Sequence, residues 1–441
     1  MNMRTPSPFS LDLNYLVQED RVHGSLYTDP AIFELEMERV FGANWVYVGH
    51  ESVIPHPGDF LTTQVGKQPI VVSRDADGRL HGLFNRCTHR GVLVCREERG
   101  NARRFVCPYH GWSYHSDGRR AGIPHPAAYT EEFLRSEDLG LVRLGAIESY
   151  RGFIFACLRP PRIGLIEHLG PMASLVIDNL LDRAPEGDIV VVPEAHRYQY
   201  RANWKMHADN GSDGYHPSFT HVSTLDERGR QFSRSFGIEA GYQLEDPKKP
   251  DPGEGKYDGL ELHTFEYGHC YTNTLPSQNR RSGPVYERYL AALEKRHGPA
   301  RLGEILALPG ISNAFIYPNL FLRVTDNEHI RVLHPVAPGV TEVHTNPLCY
   351  KGAPDEMAAG ITRYSGVHTS AFAMITTDDL EVFERAQEGL RASQPEWVLL
   401  ARGLGREWPG PHRGELLAKG TWETAMRRQY AHWKRLMGAG A

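Results

Sequence analysis

Two short segments of the chain each carry one cysteine and one histidine at positions where both side chains could bind a metal. The first segment contains Cys87 and His89, and the second contains Cys107 and His110. Two thiolates and two imidazoles at these spacings can hold one metal centre. The ligand set best fits a cluster of two irons and two sulfides, with the cysteines on one iron and the histidines on the other.

The competing interpretation is a structural zinc site with two cysteines and two histidines. Zinc fingers place both cysteines in one pair and both histidines in the other, whereas here each pair is mixed and can give one ligand to each of two irons. A glycine also follows each pair, at Gly91 and Gly111. The backbone has to fold closely around a bulky inorganic core at these points. Both details favour the iron–sulfur cluster over zinc.

The pattern Cys-x-His-Arg-Gly over residues 87–91, followed by Cys-x-x-His-Gly-Trp over residues 107–112, resembles the Rieske signature. The surrounding chain resembles the large (alpha) subunit of the Rieske non-heme iron oxygenases that hydroxylate aromatic rings. This resemblance implies a Rieske [2Fe-2S] cluster and a separate mononuclear iron(II). We expect Tyr109 and Trp112 to pack around the cluster.

A second pair of histidines, His216 and His221, lies five residues apart. On an ideal helix these side chains would point to different sides. Pro217 directly follows the first histidine, so we expect a distorted backbone that lets both rings turn toward one point. Two histidines and one carboxylate on one face of iron(II) leave the opposite face open for oxygen and substrate. The simpler alternative is two unrelated histidines in a chain that contains 22 of them.

The segment around these histidines resembles the family's mononuclear iron motif, Glu-Asn-x-x-Asp-x-Tyr-His followed by a second histidine. The matching residues are Asn210, Asp213, Tyr215, His216 and His221, and Asp209 stands where the family usually has Glu. The resemblance implies that both histidines bind the mononuclear iron. It also implies that Asp213 connects one of them to a histidine ligand of the Rieske cluster in a neighbouring subunit, while an ordinary capping role is the alternative. We assign Asn210 to the substrate pocket, and Trp204 and Lys205 to the scaffold.

The third iron ligand is expected from distant sequence, and the acidic pair Asp378 and Asp379 is the candidate. This pair resembles the family's acidic pair at the start of a helix, which precedes a downstream Gln-x-Gly. Alignment on Gln387 and Gly389 favours Asp379 as the ligand over Asp378. The alternative is that either aspartate caps the helix N-terminus.

The resemblance is nearest to the branch of the family that acts on aromatic carboxylates such as anthranilate, salicylate, terephthalate and halobenzoates. A carboxylate substrate requires a cation, and arginine binds a carboxylate through two parallel hydrogen bonds. Arg331 is our first candidate, followed by Arg323 across a predicted hairpin and by Arg427 in the last helix. Each of these could equally be an exposed surface charge.

The sequence pattern predicts an α+β protein. An amphipathic helix is predicted over residues 28–42, and a run of short antiparallel strands follows from residue 45. The predicted strands of this run are residues 59–65, 69–73 and 80–85, with a turn at residues 75–78. We divide the chain into an N-terminal helical segment that packs on the catalytic domain (1–44), an antiparallel β Rieske domain (45–160) and a mononuclear iron catalytic domain (161–441).

The catalytic domain is expected to be a curved antiparallel sheet covered by helices, of the helix-grip or START-like type that the resemblance implies. Its predicted strands include residues 188–192 and a hairpin that pairs 319–324 with 329–334. A final helix over residues 422–437 places Trp422, Met426, Tyr430, Trp433 and Met437 on one stripe. The segment Glu245 to Gly259 is expected to be a mobile surface loop.

The composition excludes several classes of protein. The net charge of -5 and the pI near 6.5 provide no basic surface for nucleic acid or anionic membranes. No apolar run reaches the roughly 18 residues of a membrane-spanning helix, and the first residues lack the apolar core of a secretion signal, so we expect a cytoplasmic protein. The remaining cysteines are scattered and expected to be reduced: Cys95, Cys157, Cys270 and Cys349.

These observations predict the terminal component of a multicomponent dioxygenase that converts an aromatic carboxylate to a cis-diol. No Gly-x-Gly-x-x-Gly motif opens a helix after a strand, so NADH or NADPH is expected to act only through a separate reductase or ferredoxin. The resemblance implies a homotrimer, with or without a small beta subunit. The alternatives are a Rieske monooxygenase, either a ring monohydroxylase or a demethylase, and an electron-transfer Rieske protein without oxygenase activity.

Overall fold

The computed structural model describes residues 11–135, 139–193, 196–222, 231, 257–273, 283–307, 310–324 and 328–438. The predicted loop at 245–259 lies outside these ranges except for its last three residues. The hairpin turn at 325–327 also lies outside them. Within the described ranges, every helix is too short or too polar to cross a lipid bilayer.

The N-terminal segment forms short helices that join the catalytic region. It contains α1 (Leu13–Leu16), β1 (Arg21–His23), α2 (Ser25–Thr28), α3 (Pro30–Glu36) and a π-helical turn at Met37–Phe41. The side chain of Asp29 caps α3 by accepting hydrogen bonds from the amides of Ala31 and Ile32, and proline fits the first helical position because no N–H is needed there. The predicted helix therefore begins at Pro30 rather than residue 28, and its apolar positions are buried as expected.

The Rieske region consists of three small antiparallel sheets. Its elements are β2 (Val46–His50), β3 (Asp59–Val65), β4 (Gln68–Arg74), β5 (Leu80–Phe84), β6 (Arg99–Asn101), β7 (Arg104–Val106), β8 (Ser113–His115), β9 (Arg120–Gly122), β10 (Ala146–Tyr150) and β11 (Phe153–Cys157), with α4 (Glu131–Arg135) and 3-10 turns at Glu51–Val53 and Pro126–Ala128. The strand orders are β5-β4-β3-β6, β7-β8-β9 and β10-β11-β2. The predicted strands at 59–65, 69–73 and 80–85 are confirmed to within a residue or two.

The second half of the chain is built on one large antiparallel sheet. Its strands are β12 (Ile189–Val191), β13 (His196–Tyr200), β14 (Glu261–Thr264), β15 (Cys270–Asn273), β16 (Ile311–Ile316), β17 (Leu320–Arg323), β18 (His329–Ala337), β19 (Val340–Tyr350), β21 (Trp408–Pro409) and β22 (Leu416–Lys419), while β20 (Trp397–Leu399) pairs separately with β1. Phe321 lies opposite Arg331 in the register, so the predicted hairpin is confirmed.

Helices cover this sheet and carry the candidate iron ligands. They are α5 (Leu165–Leu169), α6 (Asn179–Asp182), α7 (Trp204–Gly211), α8 (Pro217–Thr220), α9 (Pro284–Ala307), α10 (Asp355–His368), α11 (Met374–Gly389) and α12 (Thr424–Gly438), with a π-helical turn at Ala173–Asp178. Helix α7 packs on β16 and β18, α11 packs on β13, and α12 packs on β14. The five apolar residues predicted for the last helix are all buried, although the helix begins after Trp422.

A buried ion pair joins the N-terminal segment to helix α7. The ammonium of Lys205 lies 2.6 Å from a carboxylate oxygen of Glu36, and both side chains are almost fully buried. The indole N–H groups of Trp204 and Trp433 donate hydrogen bonds to the same carboxylate. These contacts confirm that Trp204 and Lys205 are part of the scaffold, and they explain how a buried charge is tolerated.

Replacing Lys205 with methionine should leave Glu36 buried without its cation. We expect the free energy of unfolding to fall by about 3–5 kcal/mol, measured by chemical denaturation of the metal-loaded protein. The double variant Glu36→Gln/Lys205→Met removes both charges and should lose less than Lys205→Met alone. Lys67→Met is the matched control, because Lys67 pairs with Glu34 at the surface and its loss should cost at most about 1 kcal/mol. Equal losses for the buried and the surface pair would contradict the interpretation.

Candidate metal centres and substrate cavity

The two Cys–His segments of the Rieske region form equivalent loops. The Gly91 amide donates to the Cys87 carbonyl at 2.9 Å, and the Gly111 amide donates to the Cys107 carbonyl at 3.0 Å. Both glycines have a φ of 72°. This left-handed conformation is rarely accessible to a residue with a Cβ atom, so the glycines are required by the loop itself. The expectation of a tight backbone at these positions is confirmed.

The four candidate cluster ligands face one another across these loops. The side chains of Cys87 and Cys107 are buried, and burial raises the pKa of the Cys107 thiol. The rings of His89 and His110 lie 4.6 Å apart, and the Nδ1 atom of each ring is buried without a hydrogen-bond partner. Because buried polar atoms rarely lack a partner, two unpartnered Nδ1 atoms side by side fit ligands of a metal centre.

Aromatic side chains enclose this ligand set. Trp112 stacks on His89, with ring centroids 4.9 Å apart and planes 6° apart. The ring of Tyr109 lies 3.8 Å from that of His110, so both aromatic residues pack around the site as predicted. The Tyr114 hydroxyl lies 3.1 Å from the Cys87 sulfur, a contact that the sequence did not indicate.

The spread of these four residues argues against a single zinc ion. Bonds of about 2.0–2.3 Å to one zinc would bring all the ligand atoms within about 4.6 Å of one another. Among the described residues, the ligand atoms of His216, His221 and Asp379 all lie within 4.8 Å of one another. No three of the four Cys–His ligands meet this distance. The wider Cys–His set fits two irons bridged by sulfide better than one ion.

The second pair of histidines flanks the single-turn helix α8. His216 is its N-cap and His221 is its C-cap, and the ring centroids are 5.2 Å apart with planes at 78°. Pro217 occupies the first helical position, where its missing N–H has no cost. The proline thus starts a new turn rather than distorting a continuous helix, which corrects the predicted reason while the predicted convergence of the two rings is confirmed.

A carboxylate oxygen of Asp379 completes this group. It lies 3.3 Å from the Nε2 atom of His221 and 3.6 Å from the Nε2 atom of His216. Helix α11 begins at Met374, so Asp378 and Asp379 lie inside the helix and neither caps its N-terminus. The N-cap alternative is therefore wrong. The geometry favours Asp379 over Asp378 as a ligand, because only the former faces both Nε2 atoms.

Two further aspartates lie behind the histidine rings. Asp378 lies 3.5 Å from the Nδ1 atom of His221, and Asp213 lies 3.4 Å from the Nδ1 atom of His216. Burial alone would lower the pKa of His221, but the hydrogen bond and charge of Asp379, together with Asp378, raise it. Burial would raise the pKa of Asp379, and the contacts with the histidines lower it instead. Asp378 can orient the ring of His221 through this contact and increase its basicity as a ligand. The Nδ1 atom of His216 forms no hydrogen bond, and the Asp213 carboxylate accepts one from the amide of Tyr215 at 2.6 Å, which fits the capping alternative.

Asn210 joins the members of this group. Its amide nitrogen lies 3.1 Å from the Asp379 carboxylate and 3.2 Å from the Nε2 atom of His216. Asn210 lines the cavity, as predicted for a residue of the substrate pocket, but these contacts direct its amide toward the candidate iron ligands. Its structural role is therefore to hold the ligands in position, and direct contact with substrate stays a prediction.

The candidate iron ligands open into a cavity of about 160 Å³. Its wall contains the predicted cations Arg331 and Arg323, which lie on the same face of the β17–β18 hairpin. Arg427 lies elsewhere: it forms an ion pair with Glu407 and donates to the carbonyls of Leu400 and Arg402. The third-ranked arginine is therefore a structural residue of helix α12.

Several cavity residues were not identified from the sequence. They are Tyr198, His207, Thr272, Asn313, Tyr364 and His368. Thr272 lies opposite Asn313 on neighbouring strands, so the sheet register brings both to the cavity. His207 precedes Asn210 by three residues on α7, a spacing that places both on one side of a helix. That spacing was the available signal for His207, whereas the strand residues depend on a register that the sequence did not reveal.

Comparison with known proteins agrees with this geometry. Residues 44–146 match the Rieske [2Fe-2S] domain, and residues 188–439 match the catalytic domain of the ring hydroxylating alpha subunit. The anthranilate 1,2-dioxygenase large subunit of Acinetobacter baylyi is 33% identical over 95% of this chain and 89% of its own length. The 2-halobenzoate 1,2-dioxygenase large subunit of Burkholderia cepacia is 32% identical over 92% of this chain and 86% of its own.

A solved structure has the same fold. Naphthalene 1,2-dioxygenase from Rhodococcus sp. superposes with a TM-score of 0.79 and 28% identity, covering 96% of this chain and 95% of that one. The α+β architecture, with a Rieske domain and a helix-covered antiparallel sheet, is confirmed. The chain therefore belongs to the family of ring-hydroxylating dioxygenase alpha subunits, oxidoreductases with a Rieske [2Fe-2S] domain and a non-heme iron catalytic domain.

Proposed function

We propose that this alpha subunit is the terminal oxygenase of a dioxygenase that acts on single-ring aromatic carboxylates. One observation carries the proposal: the group formed by His216, His221 and Asp379 shares a cavity with Arg331. Two histidines and a carboxylate hold iron(II) on one face, and a guanidinium binds a carboxylate. The cavity thus combines an iron site with a cation for an acidic substrate.

The size of the cavity supports a substrate with one ring. Its volume of about 160 Å³ is close to that of an engineered protein cavity of about 150 Å³ that binds benzene. Apolar side chains, including Leu260, Ile375 and Leu380, form part of the wall and can contact a ring.

The relatives also support an acidic substrate. Three relatives that are 32–34% identical are named for anthranilate, 2-halobenzoate and toluate, each of which carries a carboxylate. Relatives named for benzene and biphenyl, which are neutral, are 31% identical. We place this chain with the first group because its cavity contains arginine.

The residues divide the proposed chemistry between two sites. When bound, the Rieske cluster supplies electrons one at a time and the mononuclear iron(II) offers open positions for oxygen. Cys87, His89, Cys107 and His110 would hold the cluster, and His216, His221 and Asp379 would hold the iron. Two electrons from NADH or NADPH and two protons balance the addition of both atoms of O₂ to one ring. A separate ferredoxin or reductase would deliver the electrons.

We further propose that the working unit is a homotrimer in which Asp213 connects two subunits. Its side chain lies beside His216, and exposed apolar residues follow it within ten positions of the sequence: Tyr215, Phe219 and Val222. At the other end of the proposed contact, Tyr109 is 57% exposed next to the cluster ligand His110. Exposed aromatic residues at both places fit a contact between copies of the chain. A small beta subunit would be an additional component.

A monooxygenase is the second candidate. The N,N-dimethyl phenylurea N-demethylase alpha subunit of a Sphingobium species is 31% identical over 87% of this chain. A relative that aligns with most of the chain is therefore named for a demethylation and not for a dioxygenation. The number of oxygen atoms in the product separates the two functions.

We expect the wild-type protein, supplied with NADH and a surrogate reductase, to convert benzoate or a substituted benzoate to a cis-diol. Under ¹⁸O₂ both hydroxyl oxygens should carry the label by mass spectrometry. Toluene is the matched neutral substrate and should react at least about tenfold less efficiently, because it lacks the charged hydrogen bonds to arginine. A single labelled oxygen would indicate the monooxygenase, and equal reaction of the acid and neutral compounds would contradict the carboxylate preference.

Asp379→Asn and Asp378→Asn should separate the two adjacent aspartates. We expect Asp379→Asn to lose the mononuclear iron and nearly all turnover, because a neutral amide replaces a ligand. Asp378→Asn should bind the iron about 10- to 100-fold more weakly, since it only orients His221. Iron analysis and the visible spectrum of the cluster provide the readouts, and the cluster should be unchanged in both. The reverse order of effects would assign the ligand to Asp378.

Asp213→Asn should keep both metal centres and lose turnover by about 100-fold, because the contact between His216 and the neighbouring cluster is weakened. The direct measurement is the rate at which a pre-reduced cluster is oxidised in the presence of substrate and oxygen. Normal cluster oxidation in Asp213→Asn would remove the proposed connection between subunits.

A further inference from the structure

Neutral acceptors from two elements contact the guanidinium of Arg331. One Nη atom lies 3.3 Å from the Nε2 atom of His207, and the other donates to the side-chain oxygen of Asn313 at 3.2 Å. The guanidinium carbon also lies 5.3 Å from the centre of the Phe321 ring. These contacts come from α7, β16 and β17, so three separate elements fix the position of one cation.

His207 is a neutral partner in this arrangement. It is 3% exposed, and burial, followed by the nearby charge of Arg331, lowers its pKa to about 3. A neutral imidazole that accepts at Nε2 carries its proton on Nδ1. An acidic residue at the same position would instead form an internal ion pair with Arg331, and that pair would compete with a carboxylate from the substrate.

Helix α7 also holds the iron ligands. Asn210 follows His207 by three residues, which places both on the same side of the helix, and its amide contacts Asp379 and His216. One rigid turn of helix therefore contacts both the cation of the cavity and the candidate iron site. The distance between these two points determines which carbon of a bound ring lies nearest the iron.

We propose that His207 is a positioning residue that orients Arg331 toward the substrate carboxylate and thereby sets which ring carbons are hydroxylated. The inference deepens the proposed function and rests on it. An arginine side chain has many rotamers, and fixing its planar group in advance reduces the entropy lost when a carboxylate binds. Anchoring through neutral acceptors achieves this without adding negative charge near the substrate.

Three substitutions at this position test the proposal. His207→Phe removes the acceptor and keeps a ring, so we expect the KM for benzoate to rise about tenfold or more and the product to lose regiospecificity or give way to hydrogen peroxide. His207→Gln restores a neutral acceptor and should recover most of the wild-type behaviour. His207→Glu introduces an anion beside Arg331 and should lose benzoate turnover most strongly. Because toluene makes no hydrogen bond to Arg331, the readout is the ratio of kcat/KM for benzoate to kcat/KM for toluene. This ratio should fall about tenfold or more in His207→Phe and furthest in His207→Glu.

His334→Phe is the matched control. His334 lies on the same strand as Arg331 but on the opposite face, is 4% exposed, and has a pKa that burial lowers to about 3. The ratio of benzoate to toluene efficiency should be unchanged in this variant. Metal content and the cluster spectrum verify that each protein is folded.

The outcomes separate the inference from the proposed function. Parallel loss of benzoate and toluene turnover in His207→Phe, or a normal ratio in His207→Glu, would show a merely structural histidine and overturn the inference. Arg331→Leu provides the independent reference: if it also leaves the benzoate preference unchanged, the carboxylate anchor itself is wrong. If Arg331→Leu changes the ratio of benzoate to toluene efficiency and the His207 substitutions do not, only the positioning role of His207 is rejected.

Discussion

The convergence of two histidine Nε2 atoms on one carboxylate oxygen is the interaction on which the catalytic region depends. His216 and His221 reach this point because a single turn of helix separates them, and Asp379 reaches it from the second turn of a helix far along the chain. Like charges and polar groups gather here at a cost that a bound cation would offset. The site exists only if the fold holds α8 and α11 in a fixed position relative to each other.

Helix α7 helps to hold α8 and α11 in this position, because Asn210 contacts both His216 and Asp379. On one side it carries Asn210, which contacts the ligands, and on the other it is fixed by buried polar contacts. The Asp209 carboxylate accepts hydrogen bonds from the hydroxyls of Tyr27 at 2.8 Å and Tyr430 at 3.0 Å, and burial raises its pKa to about 7. Aspartate in place of the family's usual glutamate is therefore a partly buried scaffold residue. The ends of the chain thus stabilise the helix that organises the centre of the site.

Local patterns predicted much of the molecule. Within each Cys–His pair and within the pair His216 and His221, the ligands are only a few residues apart. Strand β3 is a short run of β-favouring residues, which can be recognised without tertiary information. The choice of Asp379 over Asp378 rested on alignment with Gln387 and Gly389, while the N-cap alternative failed because the helix begins at Met374, several residues earlier. His207 reaches Arg331 only through the packing of α7 against the sheet, and Asn313 reaches it only through the register of β16, β17 and β18.

The contacts between the two ends of the chain bear on the order in which the protein can fold during synthesis. Trp433 donates to Glu36, and Tyr430 contacts Tyr27, at sequence separations of 397 and 403 residues. The strands that surround the cluster loops pair within residues 46–157, so this region can become compact while the ribosome is still translating the rest. The early helices have to wait for the last one, and until it emerges their apolar faces are surfaces that chaperones would bind.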